Sequence, residues 1–344
     1  MTRGPIGDAV RADSRSWTGS GDERAAGAAE RRCTVLDPAE LYRIEPDLPE
    51  LSEPVLVVVL DGFVDAGAAA RLAVESLLAG GPGRLVARFD VDQLVDYRSR
   101  RPPLRFESDR WTEYEEPGIE VRLVQDTTGA PFLLLSGPEP DTQWERFAAA
   151  VEQLVRRLGV RLVVNMTGIP MAVPHTRPIG VTVHGTRPEL TEGHQALFAS
   201  AEVPGSAVAL MEYRLGQAGH AAMGFAVHVP HYLARAEYPQ AARVLVDHLA
   251  VATGLYLPTE ALTAAAERAE REIAEQVAES EEVAQVVAAL ERQYDTVVSG
   301  GGERSGAGLA GRLPSADELA AEVERFLARH DDDGPDPGDD SDER

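Results

Sequence analysis

Short runs that are apolar at every position alternate along this chain with stretches patterned at helical spacing, and that alternation restricts the fold more than any other feature. Val55–Leu60 reads Val-Leu-Val-Val-Val-Leu between Pro54 and Asp61. It falls far short of the ~20 residues of a membrane-spanning helix and suits a strand buried on both faces. A helical pattern follows from about Ala66 to Ala79 and stops at Gly80-Gly81-Pro82-Gly83. Further strand candidates are Arg84–Phe89, Gly118–Val124, Phe132–Leu135, Arg161–Met166, Val181–His184, Ala207–Met211 and Gly224–Val229. Between them, Asp141–Leu158 carries Trp144, Phe147, Val151, Leu154 and Val155 on one helical face, and Ala241–Ala252 is the next helix. The prediction is an α/β core over residues 35–257, a mostly parallel sheet flanked by helices on both sides.

Outside that core the composition changes. Residues 1–34 mix Arg, Asp, Gly and Ala without periodicity and read as disordered; an over-extended start codon would look the same. Residues 258–297 are rich in Ala, Glu and Arg and read as two helices, with Thr259 and Ser280 as N-caps. A Gly/Ser-rich linker spans 298–313. Ser315-Ala316-Asp317-Glu318 then matches a capping box and opens a helix over 314–330, with Leu319, Val323, Phe326 and Leu327 along one side. Four side chains are too few to order such a segment unaided, so it is expected to dock on the main domain or a neighbouring subunit. Residues 331–344 form an acidic, solvated tail.

Charge and residue usage exclude several functions. Acids outnumber bases 57 to 33, a formal charge of −24, which disfavours a nucleic-acid binder because phosphate backbones need a basic footprint. All 33 bases are Arg, so neither a Schiff-base lysine nor a Walker lysine exists. Cys33 stands alone and forms no internal disulfide or thiolate metal site. No signal peptide or membrane segment is apparent, and a cytoplasmic protein is expected.

Four segments at predicted strand ends could carry chemistry, since ligands of open α/β sheets bind there. In Asp61-Gly62-Phe63-Val64-Asp65-Ala66-Gly67 the glycines permit a tight turn and Asp65 can cap the following helix; the alternative is a purely structural joint. In Asp90–Pro103 three acids precede three arginines, so Arg98 and Arg101 could clamp a phosphate or carboxylate, or the arginines could pair with Asp92 or Asp96 to fix the loop. Gly168–Pro178, directly after a strand, holds His175 and Arg177 on a loop stiffened by three prolines. Phe225–Leu233 carries His228 and His231. The histidines lack metal-ligand spacing, and beside Arg177 one of them could act as a base or phosphate donor, or all could simply bond loop carbonyls. The ligand-binding candidates are therefore Asp61, Asp65, Arg98, Arg101, His175, Arg177, His228 and His231, with no metal and no cofactor. There is no nucleophile elbow and no Gly-rich phosphate loop.

In order along the chain, Asp61–Gly67, Asp96–Pro102, Gly137–Trp144, Pro174–Pro178 and His228–Leu233 resemble the proteasome assembly chaperone 2 family in its bacterial branch. The resemblance covers about residues 35–296. It implies a fold similar to the nucleoside phosphorylase/hydrolase-like class, and self-association, with a trimer expected. Proteasome subunits are implied as partners through the eukaryotic and archaeal relatives. The sequence ends Asp342-Glu343-Arg344 and not in the hydrophobic-Tyr-any tripeptide of proteasome-docking chaperones, so such contact would use another surface. Two functions follow as expectations: a non-enzymatic oligomeric assembly factor or scaffold, and alternatively an enzyme or binder for a small phosphorylated or nucleoside-like ligand at the His/Arg loops.

Overall fold

A computed structural model describes residues 36–194 and 200–299. The N-terminal segment 1–34, the rest of the expected linker from residue 300, the helix over 314–330 and the acidic tail lie outside the described residues; the linker's expected first residues, 298 and 299, are instead the end of the last helix.

Ten strands and six α-helices follow one another among the described residues: β1 (Tyr42–Ile44), β2 (Val55–Asp61), α1 (Ala69–Leu77), β3 (Arg84–Phe89), β4 (Leu104–Glu107), β5 (Arg110–Tyr114), β6 (Glu120–Gln125) and β7 (Pro131–Pro138) come first. Then come α2 (Trp144–Arg157), β8 (Leu162–Met171), β9 (Val181–Gly185), α3 (Ala207–Gln217), β10 (Ala222–Pro230), α4 (Pro239–Thr253), α5 (Glu260–Glu279) and α6 (Glu281–Ser299). Eight strands form one sheet in the order β1-β3-β6-β7-β2-β8-β10-β9, and β4 and β5 pair as a separate two-stranded hairpin. The centre, β7-β2-β8-β10, is parallel, while β6, β3, β1 and β9 add antiparallel margins. The expected α/β sheet flanked by helices is the fold found.

Alternation along β2 shows why both faces must be covered. Val55, Val57 and Val59 point into one apolar layer with Ala69, Ala73 and Leu77 of α1 and Leu245 and Leu249 of α4. Leu56 and Val58 point into the other, with Phe147, Val151 and Leu154 of α2 and Met211 and Leu215 of α3. A strand buried on both sides has no polar face to show in sequence, which is why it reads as a continuous apolar run.

Some elements differ from expectation. Ala207–Met211 is the first part of α3 and not a strand: the Ser206 side chain accepts the Ala209 N–H at 3.1 Å, and Ala207, Met211 and Leu215 recur every fourth residue on the buried side. A capped, uniformly apolar pentapeptide is ambiguous in period, and the cap decides it. The strand preceding the His175 loop runs on through Met171, so Gly168–Met171 is strand and not loop. The hairpin β4–β5 replaces what reads as featureless loop. Ser280 Oγ accepts from Val283 N at the start of α6, whereas Thr259 makes no side-chain cap bond.

Candidate functional site

The parallel strands β2, β7, β8 and β10 end on one rim, and β3, antiparallel to β6, ends there too. All four chemistry-bearing segments leave the sheet at this rim. Each side chain, however, is engaged differently.

Asp65 is the pivot of the β2–α1 joint. Its Oδ1 accepts from Ala70 N (2.9 Å) and from Gly168 N on β8 (3.1 Å), and its Oδ2 accepts from Arg71 N (3.0 Å). One carboxylate thus caps α1 and ties the joint to the neighbouring strand. Thr167 Oγ1 donates to Val64 O at 2.8 Å, and Gly67, left-handed at φ 69°, donates its N–H to Ala234 O after β10. Gly62 plays another part than the expected tight turn: a Cβ there would run into the Glu139 side chain. The Asp61 carbonyl accepts from Arg100 Nη1 (2.8 Å) and from Glu139 N (3.0 Å). Loss of hydration and then the neighbouring Asp65 push the Asp61 carboxyl above its usual range, against the pull of Arg100.

The arginine loop is fixed by a partner outside it. Arg100 pairs with Asp141 at 3.2 Å, and Asp141 also accepts the Asp96 N–H at 2.7 Å. Asp96 caps Arg98 N, and Asp92 accepts the Tyr97 hydroxyl at 2.6 Å. Arg98 and Arg101 point to solvent without an ion-pair partner among the described residues.

On the β8–β10 side His175 and His231 both pack on Tyr232, and His228 lies apart from them. His175 Nδ1 meets the Tyr232 hydroxyl at 2.7 Å, and burial holds its pKa below the ordinary histidine value against the pull of Glu291 and Glu270. His231 packs edge-on against Tyr232, ring centres 5.5 Å apart. His228 lies inside the sheet layer, bonded to Thr182 Oγ1 at 2.8 Å, its pKa pushed down to about 4 by burial. Arg177 is clamped by α6: Nε and Nη2 take both Asp295 oxygens at 2.8 and 2.7 Å, and Nη1 reaches Glu291 at 3.2 Å. His175 and Arg177 share the wall of a cavity of about 370 Å³ with Tyr238, Gln240, Arg243 and Glu270. Asp61, Asp65, Arg98, Arg101, His228 and His231 do not line it.

Three acidic residues stand outside the ligand-binding candidates, although Glu139 and Asp141 belong to the Gly137–Trp144 motif. Glu139 is buried and accepts the Ala207 N–H at the start of α3 (2.6 Å). Asp141 locks the arginine loop. Glu212 bonds Asn165 Nδ2 (2.6 Å) and His184 Nδ1 (2.8 Å) beside a second cavity of about 420 Å³. Glu212 follows directly on the segment read as a strand, which hid its place on a helix face.

Phe63, 68% exposed, and its neighbour Val64 are the exposed large apolar side chains of the β2–α1 joint. No cluster of three or more His, Cys, Asp or Glu suited to a metal occurs among the described residues, and no helix among them is long and apolar enough to cross a membrane.

Comparison with known proteins yields a consistent picture. A sequence profile of the PAC2 family matches residues 59–277. A crystal structure of a Mycobacterium tuberculosis protein of unknown function is 48% identical, with 76% of this chain and 90% of that one covered at a TM-score of 0.72. A Corynebacterium glutamicum protein of unknown function is 39% identical, covering 76% and 100% at 0.73. A Mycobacterium tuberculosis proteasome-assembly chaperone homologue is 27% identical, covering 68% and 99% at 0.63. No curated protein matches.

Proposed function

This chain belongs to the PAC2 family, and from that premise we propose that it is a non-enzymatic assembly factor that works as a homo-oligomer, a trimer by expectation, on protein partners in the cytoplasm. Proteasome subunits are the first partners to test, because one relative is a proteasome-assembly chaperone homologue. The observation that carries the reading is how the rim spends its polar groups. Asp65, Arg100, Asp141, Arg177 and His228 are bonded to the protein itself and make the loops stiff. What that stiff rim offers outward beside them is an apolar pair, Phe63 and Val64, with the exposed Arg98 and Arg101 on the neighbouring loop. An apolar anchor on a preorganised loop fits a protein surface. In this reading Asp61, Asp65, Arg98, Arg101, His175, Arg177, His228 and His231 hold or flank a docking rim.

The test is co-purification of the tagged full chain from its native cell, with Phe63→Asp as the comparison and native mass spectrometry for the subunit number. A stoichiometric protein partner lost in Phe63→Asp supports the proposal. Wild-type chain recovered with no stoichiometric partner, or a partner retained unchanged by the variant, overturns the rim reading.

A further inference from the structure

The hairpin β4–β5 is the least covered piece of the described structure: every residue from 104 to 116 is exposed. Its register puts Leu104 opposite Tyr114 and Phe106 opposite Trp111, so these four side chains share one face. Phe106 and Trp111 stack edge to face, ring centres 5.0 Å apart, yet the four are 50–64% exposed. The opposite face holds ion pairs from Arg105 to Glu113 (3.0 Å) and to Glu107 (3.9 Å). A two-stranded hairpin with one apolar and one ionic face is marginal in water and gains stability when the apolar face is covered.

We infer that this face is the seat of the chain's own C-terminal amphipathic segment, residues 314–330. Three observations favour that occupant. First, the segment's sequence sets Leu319, Val323, Phe326 and Leu327 at helical spacing, an apolar stripe with nothing in its own stretch to pack on. Second, the chain reaches. The α6 helix is held at the rim by Arg177 with Asp295 and Glu291, while the hairpin's base is held there by Arg100 with Asp61 and Asp141. Residues 300–313 extend at most about 50 Å and average about 20 Å end to end. The sheet from β8 to β3 spans only about 20 Å at ~4.8 Å per strand. Third, Arg98 and Arg101, exposed at the base of the hairpin, offer a local cationic anchor to Asp331, Asp332 and Asp333, which follow directly on the segment, beside an arm that carries Glu107, Asp109, Glu113, Glu115 and Glu116 against Arg105 and Arg110. The inference does not rest on the assembly reading; it holds whichever partner the rim takes.

The test places the photoreactive residue benzoylphenylalanine at position 326 of the full chain and maps the cross-link by mass spectrometry. The expected product joins residue 326 to the peptide 104–114, within one chain or between two copies as the band size reports; either confirms the seat. Trp111→Ala, whose side chain is exposed, should abolish the product and speed hydrogen exchange of amides 314–330 at least tenfold, and Arg98→Glu/Arg101→Glu should weaken the yield several-fold. A cross-link to α4–α6, no protein cross-link, or exchange of 314–330 unchanged by Trp111→Ala would overturn the inference.

Discussion

The β2–α1 joint and the β4–β5 hairpin leave the same rim of the sheet and are built on opposite terms. At the joint, one carboxylate accepts three backbone N–H groups, Gly168 of β8 lies against the Ala66 carbonyl with no room for a side chain, and a left-handed glycine hands a hydrogen bond to the turn after β10. At the hairpin, cross-strand pairs and ion pairs satisfy the arm locally, and its apolar area faces outward. The lesson is that motif residues legible as chemistry serve the rigidity of the first region, whereas the exposed apolar surface is in the second and at Phe63. Substitutions should therefore split sharply: large losses of stability at the joint, small ones at the arm.

The largest effect is expected from Gly168→Ala. A methyl group there would overlap the Ala66 carbonyl oxygen, a backbone atom that cannot swing aside. The joint must shift, at roughly 3 kcal/mol or more, read as a lower denaturant midpoint. A loss under 1 kcal/mol would mean that the joint is slack and the contrast with the hairpin is false.

Asp65→Ala comes next. It removes the cap of α1, about 0.5–2 kcal/mol, and strands the Gly168 N–H, about 1–3 kcal/mol. Equilibrium unfolding should register about 2–4 kcal/mol, with Asp65→Asn recovering part because one acceptor oxygen remains. Equal losses in the two variants would show that the carboxylate's second oxygen carries the joint.

Acid sharpens the same point at His228. Folded, it titrates near 4; unfolded, near 6.5. The unfolded chain therefore binds the proton first, so this group's contribution to stability is intact above 6.5 and disappears as the pH falls toward 4. At pH 5 the loss from this group is about 2 kcal/mol relative to neutral pH. Urea titrations at pH 7 and pH 5 should show that drop in the wild type and a smaller one in His228→Gln. The same pH dependence in both would assign it elsewhere.

How much of this was legible before coordinates depended on whether a residue's role was local. The through-apolar runs announced the doubly covered strands, and Asp65 at a strand–helix boundary announced a cap. The bond from Asp65 to Gly168 was invisible, since it spans 103 positions and follows from β2 and β8 being neighbours. Arg100 likewise sits among nearer acids but pairs with Asp141, because the strand order brings the loops after β3 and β7 together. The misread start of α3 shows the converse limit: Ala-Val-Ala-Leu-Met carries no period, and only Ser206 distinguishes helix from strand. The hairpin was missed because its alternation is apolar against charged with no buried neighbour, and a bulge at Arg105/Phe106 breaks the period.

A smaller, local effect belongs to Arg177→Ala. Its three ion-pair contacts join the His175 loop to α6 at the surface, so global stability should hold while amides of 281–299 exchange several-fold faster. Unchanged exchange would mean that Val287 and Leu290, the buried residues of α6, seat the helix without the clamp.

The smallest effect is the one that tests the comparison most directly. Trp111 is a large aromatic residue, and burying such a side chain in a core makes its truncation cost about 3–5 kcal/mol. At the arm it is 64% exposed and touches chiefly Phe106, so in a chain ending at residue 313, which lacks the segment 314–330, Trp111→Ala should move the unfolding midpoint of the body by less than about 0.5 kcal/mol. Phe106→Ala, the other half of the pair, should behave alike, and the double variant should add little more than the few tenths their ring contact is worth. A loss of 2 kcal/mol or more from either substitution would place the arm's face against the body of its own sheet. The rim would then hold two rigid joints instead of one joint and one arm, and Phe63 alone would be left to meet a partner.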